Sequence, residues 1–171
     1  MILVTVGTHE QPFNRLVRYM DEWAGSNKEE VVIQTGFSTY EPKCCKRMKL
    51  VPYQEMVELV KEARIVVTHG GPSSFIMPLQ IGKVPIVVPR KKEYREHVND
   101  HQVAFCRAVS ERLGNIIVVE NVEDLCDVIT GYESIVASMP SQMKSNNAVF
   151  CERFANVIDG LFGIAGNADS S

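Results

Sequence analysis

A glycine pair followed by a proline and two serines is the stretch of the sequence whose residue types most clearly suit ligand binding. It follows the apolar residues 65–67 and reads Thr68-His69-Gly70-Gly71-Pro72-Ser73-Ser74. This order predicts a strand, a tight loop and a helix that begins near Pro72. Glycines allow close approach to the backbone, and the first turn of a helix binds anions through its free N–H groups. The stretch predicts a phosphate site with Ser73 and Ser74 as hydroxyl donors, although a structural βα turn could have the same residues.

A polar cluster follows the next apolar run, at residues 86–88, and the cation Arg90. It contains imidazoles, amides and carboxylates and reads Glu96-His97-Val98-Asn99-Asp100-His101-Gln102. A solvated helix face would consist mainly of Lys and Glu, whereas these groups suit hydrogen bonds to a sugar or base. Arg90 could add positive charge near a diphosphate. His97 could equally cap a helix, because a single histidine is more often structural than catalytic.

The loop after the first apolar run carries a third set of side chains, Gly7, Thr8, His9 and Glu10. Gly7 and Thr8 would let this loop approach a diphosphate, while His9 and Glu10 would reach the reacting group as candidate catalytic residues. The alternative is that Thr8 only caps the helix that follows. The loop lacks the GxGxxG pattern, which argues against a dinucleotide ligand.

Three separated motifs, HGGPSS, GKVPIVVPR and EHVNDHQ, resemble the donor-binding half of the GT-B glycosyltransferases of family 28. The opening MILVTVGTHEQPFNRLV is similar to small single-domain members that act in bacterial exopolysaccharide and capsule assembly. Their eukaryotic counterpart is the catalytic subunit of the two-subunit UDP-GlcNAc transferase of asparagine-linked glycosylation. The family commonly places a glutamate three residues after the loop serine to hold sugar hydroxyls. This chain has Met77 there, so Glu96 or Asp100 could take that role.

The resemblance implies an inverting transferase subunit that passes a hexose from a UDP-sugar to a lipid-linked saccharide acceptor in exopolysaccharide or capsule assembly. It implies that no cofactor is needed. It also implies a membrane-anchored partner subunit that presents the acceptor, and the rival arrangement is a homodimer. The donor-binding residues that we expect are Gly7, Thr8, His69, Gly70, Gly71, Ser73, Ser74, Arg90, Glu96, His97, Asn99, Asp100, His101 and Gln102. The alternatives are a non-catalytic nucleotide-sugar-binding or scaffold subunit and, more weakly, a UDP-sugar 2-epimerase.

Composition limits the remaining possibilities. The chain has 171 residues, 45% of them hydrophobic, and a net charge of −3, which fits one α/β domain and argues against nucleic acid as a partner. No apolar run has the length of a membrane span, and the first residues do not resemble a signal peptide. We therefore expect a cytoplasmic protein that its partner holds at the inner face of the membrane.

The sequence predicts no metal site. Its five cysteines show no CxxC spacing; adjacent Cys44 and Cys45 could bind a metal or form a strained disulfide, but free thiols are favoured. The sequence also lacks the Asp-x-Asp triplet that chelates a divalent ion together with a diphosphate. A helix N-terminus and Arg90 would then stabilise the diphosphate charge.

Apolar runs alternate with helix-period segments, which predicts an α/β fold with a six-stranded parallel sheet covered on both faces. The predicted strands are residues 2–5, 31–34, 49–51, 65–68, 85–88 and 115–119. The predicted helices are residues 12–23, 53–62, 73–81, 97–111, 122–130 and 145–162. Right-handed crossovers favour the doubly wound, Rossmann-like order 3-2-1-4-5-6, equivalent to the C-terminal half of a GT-B fold. The loops that follow strands 1 and 4 would then face one crevice at the switch point.

We expect a single nucleotide-sugar-binding domain over residues 1–162 and a disordered tail over residues 163–171. The last predicted helix carries an apolar stripe at helical spacing, which includes Phe154, Ile158 and Phe162. Most of this stripe should pack on the core, and part of it could contact a partner.

Overall fold

Six parallel strands form the central sheet of the part that the structure describes, residues 1–139 of a computed structural model. Their order across the sheet is β3-β2-β1-β4-β5-β6, which confirms the predicted doubly wound arrangement. The strands are β1 (Ile2–Thr5), β2 (Val31–Gln34), β3 (Lys46–Met48), β4 (Ile65–His69), β5 (Ile86–Val88) and β6 (Ile117–Val118).

Helices cover both faces of this sheet. They are α1 (Asn14–Ser26), α2 (Tyr53–Glu62), α3 (Pro72–Gln80), α4 (His101–Leu113), α5 (Leu125–Thr130) and α6 (Tyr132–Ser138), with short 3₁₀ helices at Lys92–Tyr94 and Val122–Asp124. Residues of α1, α5 and α6 pack on one face, and residues of α2, α3 and α4 pack on the other. No helix within residues 1–139 is long and apolar enough to cross a bilayer.

The two-residue period of a strand distributes the apolar side chains between the two faces. In β1, Ile2 and Val4 join the core under α1, while Leu3 joins the core under α2 and α3. Because Ile2 is in register with Val31 of β2 and Ile65 of β4, the same alternation repeats across the central strands. This burial on both faces explains why these strands are almost uniformly apolar in sequence.

The predicted bounds of β1, β2 and α2 are confirmed. The prediction for β3 is wrong by three residues: apolar Leu50 and Val51 suggested residues 49–51, but backbone pairing with β2 selects Lys46–Met48. At this sheet edge the strand residues are exposed or only partly buried, so hydrophobicity does not mark the strand.

Two helix predictions also need correction. Helix α4 begins at His101 and not at residue 97, because Arg95 adopts a left-handed conformation (φ 58°) and residues 96–100 form a loop. Helix α6 was not predicted; Gly131 separates it from α5. The predicted helix at 145–162, its apolar stripe and the tail at 163–171 lie outside the described residues, so the domain boundary at 162 stays a prediction.

Buried Asp21 of α1 holds the segment between β2 and β3. Its carboxylate accepts N–H groups of Lys43 (2.9 Å), Cys44 (2.7 Å) and Cys45 (3.2 Å) and the Tyr40 hydroxyl (2.9 Å). Burial alone would raise the pKa of Asp21, but these donors outweigh it and lower the pKa from its ordinary value of 3.8. The charged form of Asp21 therefore stabilises the fold.

We expect Asp21→Asn to lower the free energy of unfolding by about 1–3 kcal/mol at neutral pH, because it removes the charge that the four donors bind. A carboxyl group with a depressed pKa in the folded state stabilises above its unfolded pKa, and this contribution is lost as the pH falls through the folded pKa. The difference between the two proteins in urea denaturation should therefore shrink below about pH 4. Glu22→Gln, a neighbouring exposed change, is the control; a loss of the same size there would contradict the assignment.

Candidate functional site

A cavity of about 680 Å³ opens at the carboxyl edge of the sheet, where the strand order reverses between β1 and β4. Its lining comes from strand ends, from α2 and α3 and from the loops after β1 and β3. These residues are Thr5, Gly7, Thr8, His9, Gln34, Leu50, Val51, Tyr53, Met56, Val60, His69, Ser73, Ser74 and Met77. The volume is in the range of small-molecule sites, and the position is where open α/β sheets bind ligands.

The imidazole of His69 fills the space between the two glycine loops of this site. A Cβ atom on Gly7 would lie 2.3 Å from Nε2 of His69, and one on Gly71 would lie 2.2 Å from its Cε1. Gly7 also has a φ of +76°, which disfavours any side chain. Both glycines are therefore required by the histidine, whereas the sequence suggested that they leave room for a ligand.

Hydrogen bonds fix which nitrogen of His69 carries the proton. The Gly71 N–H donates to Nδ1 (3.0 Å), and the Ser74 hydroxyl lies 2.8 Å from Nε2. Since a backbone N–H can only donate, Nδ1 is unprotonated and Nε2–H donates to Ser74 Oγ. The hydroxyl proton of Ser74 is left free to point into the cavity.

His69 is uncharged at neutral pH. Burial, first, and then the positive charges of Arg90, His9 and His97 lower its pKa to about 3. A neutral imidazole can keep accepting the Gly71 N–H, so the loop geometry does not change with protonation between about pH 5 and 8.

Gln34 is a site residue that the sequence analysis missed. Its side-chain oxygen accepts the Thr5 hydroxyl (2.7 Å) and the Gly7 N–H (3.0 Å), while its nitrogen donates to the carbonyls of Gly7 (3.0 Å) and Lys49 (3.2 Å). The carboxamide thus joins β1, β2 and the loop after β3 at the cavity floor. A polar residue that directly follows three apolar residues at a strand end was the available signal.

Thr8 does not cap α1, because the helix begins only at Asn14 and the Phe13 N–H is bonded to Ser38 Oγ (3.1 Å). Thr8 lines the cavity instead. Neighbouring Glu10 is exposed and lies outside the cavity lining.

The other three histidines cluster at the same edge of the sheet. The ring of His97 lies 5.0 Å from that of His9 and 4.5 Å from that of His101, measured between centroids. His101 Nδ1 bonds to the Asn99 side-chain oxygen, which also accepts the His101 N–H (3.3 Å). These three histidines, which come from two parts of the chain distant in sequence, therefore lie together, and of the three only His9 lines the cavity.

Arg90 and Glu96 make hydrogen bonds that connect the loops after β1 and β5. The guanidinium of Arg90 is buried and donates to the carbonyls of Val6 (2.8 Å), Gln11 (2.7 Å) and Glu96 (3.1 Å). Burial lowers the pKa of Arg90 to about 10, so it stays charged at neutral pH. The Glu96 carboxylate pairs with Arg15 of α1 (2.9 Å).

Gln102 and Asp100 also bond to the protein. The Gln102 side-chain oxygen accepts the Arg90 N–H (3.2 Å), and Asp100 Oδ1 accepts the Lys92 N–H (2.8 Å). A Cβ on Gly70 would lie 3.0 Å from the same Gln102 oxygen. Four of the expected donor-binding residues, Arg90, Glu96, Asp100 and Gln102, are thus engaged in shaping the loops.

The cavity lining combines polar and apolar groups. It includes the hydroxyl groups of Ser73 and Ser74 at the start of α3, and the side chains of Leu50 and Val51, between β3 and α2, and of Tyr53, the first residue of α2. Leu50 and Tyr53 are 54% and 70% exposed, so their apolar surface is accessible to a ligand. This pairing suits a ligand that joins an anion to a ring.

Within residues 1–139, no group of three or more His, Cys, Asp or Glu side chains is placed to hold a metal ion. Cys44, Cys45, Cys106 and Cys126 are free thiols. Burial raises the pKa of Cys45 to about 12 and that of Cys106 to about 11, which makes both poor nucleophiles.

Residues 1–159 match the family described as glycosyltransferase family 28 C-terminal domain. Two solved glycosyltransferases have a similar fold. The glycotransferase of kitacinnamycin is 20% identical with a TM-score of 0.54, over 75% of this chain and 33% of that chain. The glycosyltransferase SnogD from Streptomyces nogalater is 17% identical with a TM-score of 0.52, over 81% of this chain and 39% of that chain.

At these identities the likeness to solved structures shows the fold alone, and the chain spans less than half the length of either one. No protein of curated function matches the chain.

We expect Gly7→Ala to lower the free energy of unfolding by about 3 kcal/mol or more, because it adds a clash with His69 to a strained φ. Gly82→Ala is the matched control, since Gly82 has a similar φ of +82° but open space around its Cβ position; it should cost about 1 kcal/mol. Urea denaturation of both variants measures the difference. Equal losses would show that His69 does not require the glycine.

Proposed function

The chain belongs to the glycosyltransferase family 28 C-terminal domains, and on that premise we propose that it binds a UDP-sugar as the donor-binding subunit of an inverting hexosyltransferase. The observation that carries the proposal is the cavity at the switch point, whose lining includes both hydroxyl donors and apolar side chains. A nucleotide diphosphate sugar has the matching chemistry, an anionic centre between a planar base and a polar ring.

We place the diphosphate at the start of α3. The Gly71 N–H is already donated to His69, so the hydroxyls of Ser73 and Ser74 supply the direct hydrogen bonds, and the helix dipole adds a positive field. His69 acts as a positioning residue, because its Nε2–H bond orients the Ser74 hydroxyl. These groups would stabilise the negative charge that develops on the departing UDP.

We place the base against Leu50, Val51 and Tyr53, and the sugar near His9 and the adjacent His97 and His101. The thioether of Met77 lines the cavity where the resembled family has a glutamate, and Glu96 is occupied by Arg15. The hydroxyls of the donor would therefore be held by other groups in this chain.

His9 and Glu10 stay our first candidates for catalytic residues, and the geometry adds His101. His9 Nδ1 accepts the Gln11 N–H (3.2 Å), so its Nε2 carries the proton in the neutral ring. In the neutral ring of His101, Nδ1–H donates to the Asn99 side-chain oxygen, so the tautomer leaves Nε2 without a proton. An unprotonated nitrogen is what a general base needs.

We expect the chain to bind UDP, and Ser74→Ala to weaken UDP binding about tenfold while leaving uridine binding unchanged. The reason is that the variant removes one hydrogen bond to the diphosphate, worth about 1.4 kcal/mol, and leaves the base contacts intact. Isothermal titration calorimetry with UDP and uridine measures both affinities. Ser26→Ala, which removes a hydroxyl bonded to Glu22 at the far end of α1, is the control. Unchanged UDP affinity in Ser74→Ala would refute the diphosphate position.

We further propose that the acceptor is a lipid-linked saccharide of exopolysaccharide or capsule assembly, presented by a membrane-anchored partner subunit. The protein would then be cytoplasmic and peripheral to the inner face of the membrane. The support is the resemblance to single-domain family members that work with such a partner. A homodimer in which one copy offers the acceptor site is the rival arrangement.

Transfer of label from radioactive UDP-sugars to lipid tests this arrangement, with the chain alone, with membranes, and with membranes and EDTA. We expect transfer to need the membranes and to survive EDTA, because the helix dipole and serine hydroxyls replace a cation. A rate that membranes do not improve would contradict the partner, and complete reversible loss in EDTA would contradict metal independence. Binding without transfer under all conditions would support the non-catalytic alternative, which the Met77 departure keeps open.

A further inference from the structure

A second cavity, of about 450 Å³, opens at the same edge of the sheet beside the ends of β2 and β3. It shares no lining residue with the first cavity. Its side chains are polar, and those that matter for the argument are Ser38, Thr39, Glu41, Arg47 and Lys49. None of these residues takes part in the function proposed above.

Two of the four hydroxyl groups that line this cavity, those of Ser38 and Thr39, have protons available for donation. Ser38 Oγ accepts the Phe13 N–H (3.1 Å), and Thr39 Oγ1 accepts the Asn14 side-chain N–H (2.8 Å). Because each oxygen already accepts a protein hydrogen bond, the proton of each hydroxyl remains available to a ligand. Both hydroxyls also lie at the N-terminus of the 13-residue helix α1, whose dipole favours an anion.

Two cations line the cavity, Arg47 of the edge strand β3 and Lys49, which directly follows that strand. Met48 packs on one face of the sheet, so the two-residue period directs Arg47 to the other. Arg47 is paired with Glu41 (3.0 Å). The Lys49 ammonium makes no ion pair within residues 1–139. Lys46, on the Met48 side of the strand, does not line the cavity.

We propose that the second cavity binds the phosphate group of a second ligand, distinct from the nucleotide donor. Two hydroxyl donors, the Lys49 ammonium, which has no ion pair within residues 1–139, and a helix N-terminus together supply several donors, which suits an oxyanion. The volume leaves room for the group that the phosphate carries, either a sugar or a prenyl chain. Because both cavities open at one edge, this ligand would lie beside the donor.

Nuclear magnetic resonance of the full chain locates the site. Glucose 1-phosphate, citronellyl phosphate and glucose are titrated separately, each with and without UDP. We expect either or both phosphates, but not glucose, to shift the amide signals of Ser38, Thr39 and Lys49 whether or not UDP is present. The phosphate that binds more tightly identifies the carried group. Shifts confined to Ser73 and Ser74, or no shifts at millimolar concentration, would overturn the proposal.

Charge variants distinguish phosphate binding in this cavity from nonspecific attraction of the phosphate to positive charge on the protein. Lys49→Met should weaken binding of the tighter phosphate about tenfold, the loss of one charge-assisted hydrogen bond. Lys46→Met removes the same charge from the same edge but outside the cavity, and should change the affinity less than about twofold. Glu41→Gln should strengthen binding severalfold, because it frees Arg47. Equal effects of Lys46→Met and Lys49→Met would refute a defined site.

The proposed UDP site and the proposed phosphate site can each be refuted without refuting the other. Phosphate binding at the second cavity without any UDP binding would leave this inference standing and remove the proposed donor site. UDP binding without phosphate at the second cavity would do the reverse.

Discussion

The neutral imidazole of His69 is the constraint on which the candidate site depends. It lies between Gly7 and Gly71 at distances that leave no room for a Cβ on either residue. Its two nitrogens connect the Gly71 N–H to the Ser74 hydroxyl. The last residue of β4 thereby fixes the loop after β1, the turn before α3 and the direction of one hydroxyl proton. Burial keeps the ring uncharged, so one geometry persists across physiological pH.

Further polar contacts, made by Arg90 and Glu96, stabilise the loops after β1 and β5. Arg90 is a buried cation, and burying a charge is costly unless its hydrogen bonds are satisfied. Here Nη1 and Nη2 donate to three carbonyls from two loops, and the guanidinium carbon lies 4.8 Å from the Phe13 ring centroid, while Nε has no partner within residues 1–139. Glu96 extends the contact to Arg15 of α1. The network gives irregular backbone the partners that strands and helices supply elsewhere.

The end of β2 separates the two cavities. The Gln34 carboxamide bonds to Gly7 on the side of the first cavity and to the Lys49 carbonyl. The next residues, Thr35 and Gly36, line the second cavity. Asp21 then anchors the segment from Tyr40 to Cys45, which leads into β3. The end of β2 therefore forms a boundary that both cavities share.

The sequence by itself determined the fold class, the sheet order and the residues near the switch point. It could do so because burial on both faces makes β1, β2 and β4 continuous apolar runs, and because parallel crossovers have one hand. The position of the edge strand β3 could not be predicted in this way, because its residues are exposed or only partly buried and hydrophobicity does not mark them.

Only the tertiary structure decided the roles of the individual polar residues. Arg90 and Glu96 looked like ligand-binding groups, yet both bond to protein atoms, while Gln34 was overlooked and holds the cavity floor. Residue type states what a side chain can donate or accept, but not which partner occupies it. That partner comes from a distant part of the chain, and it is present only when the sheet has assembled.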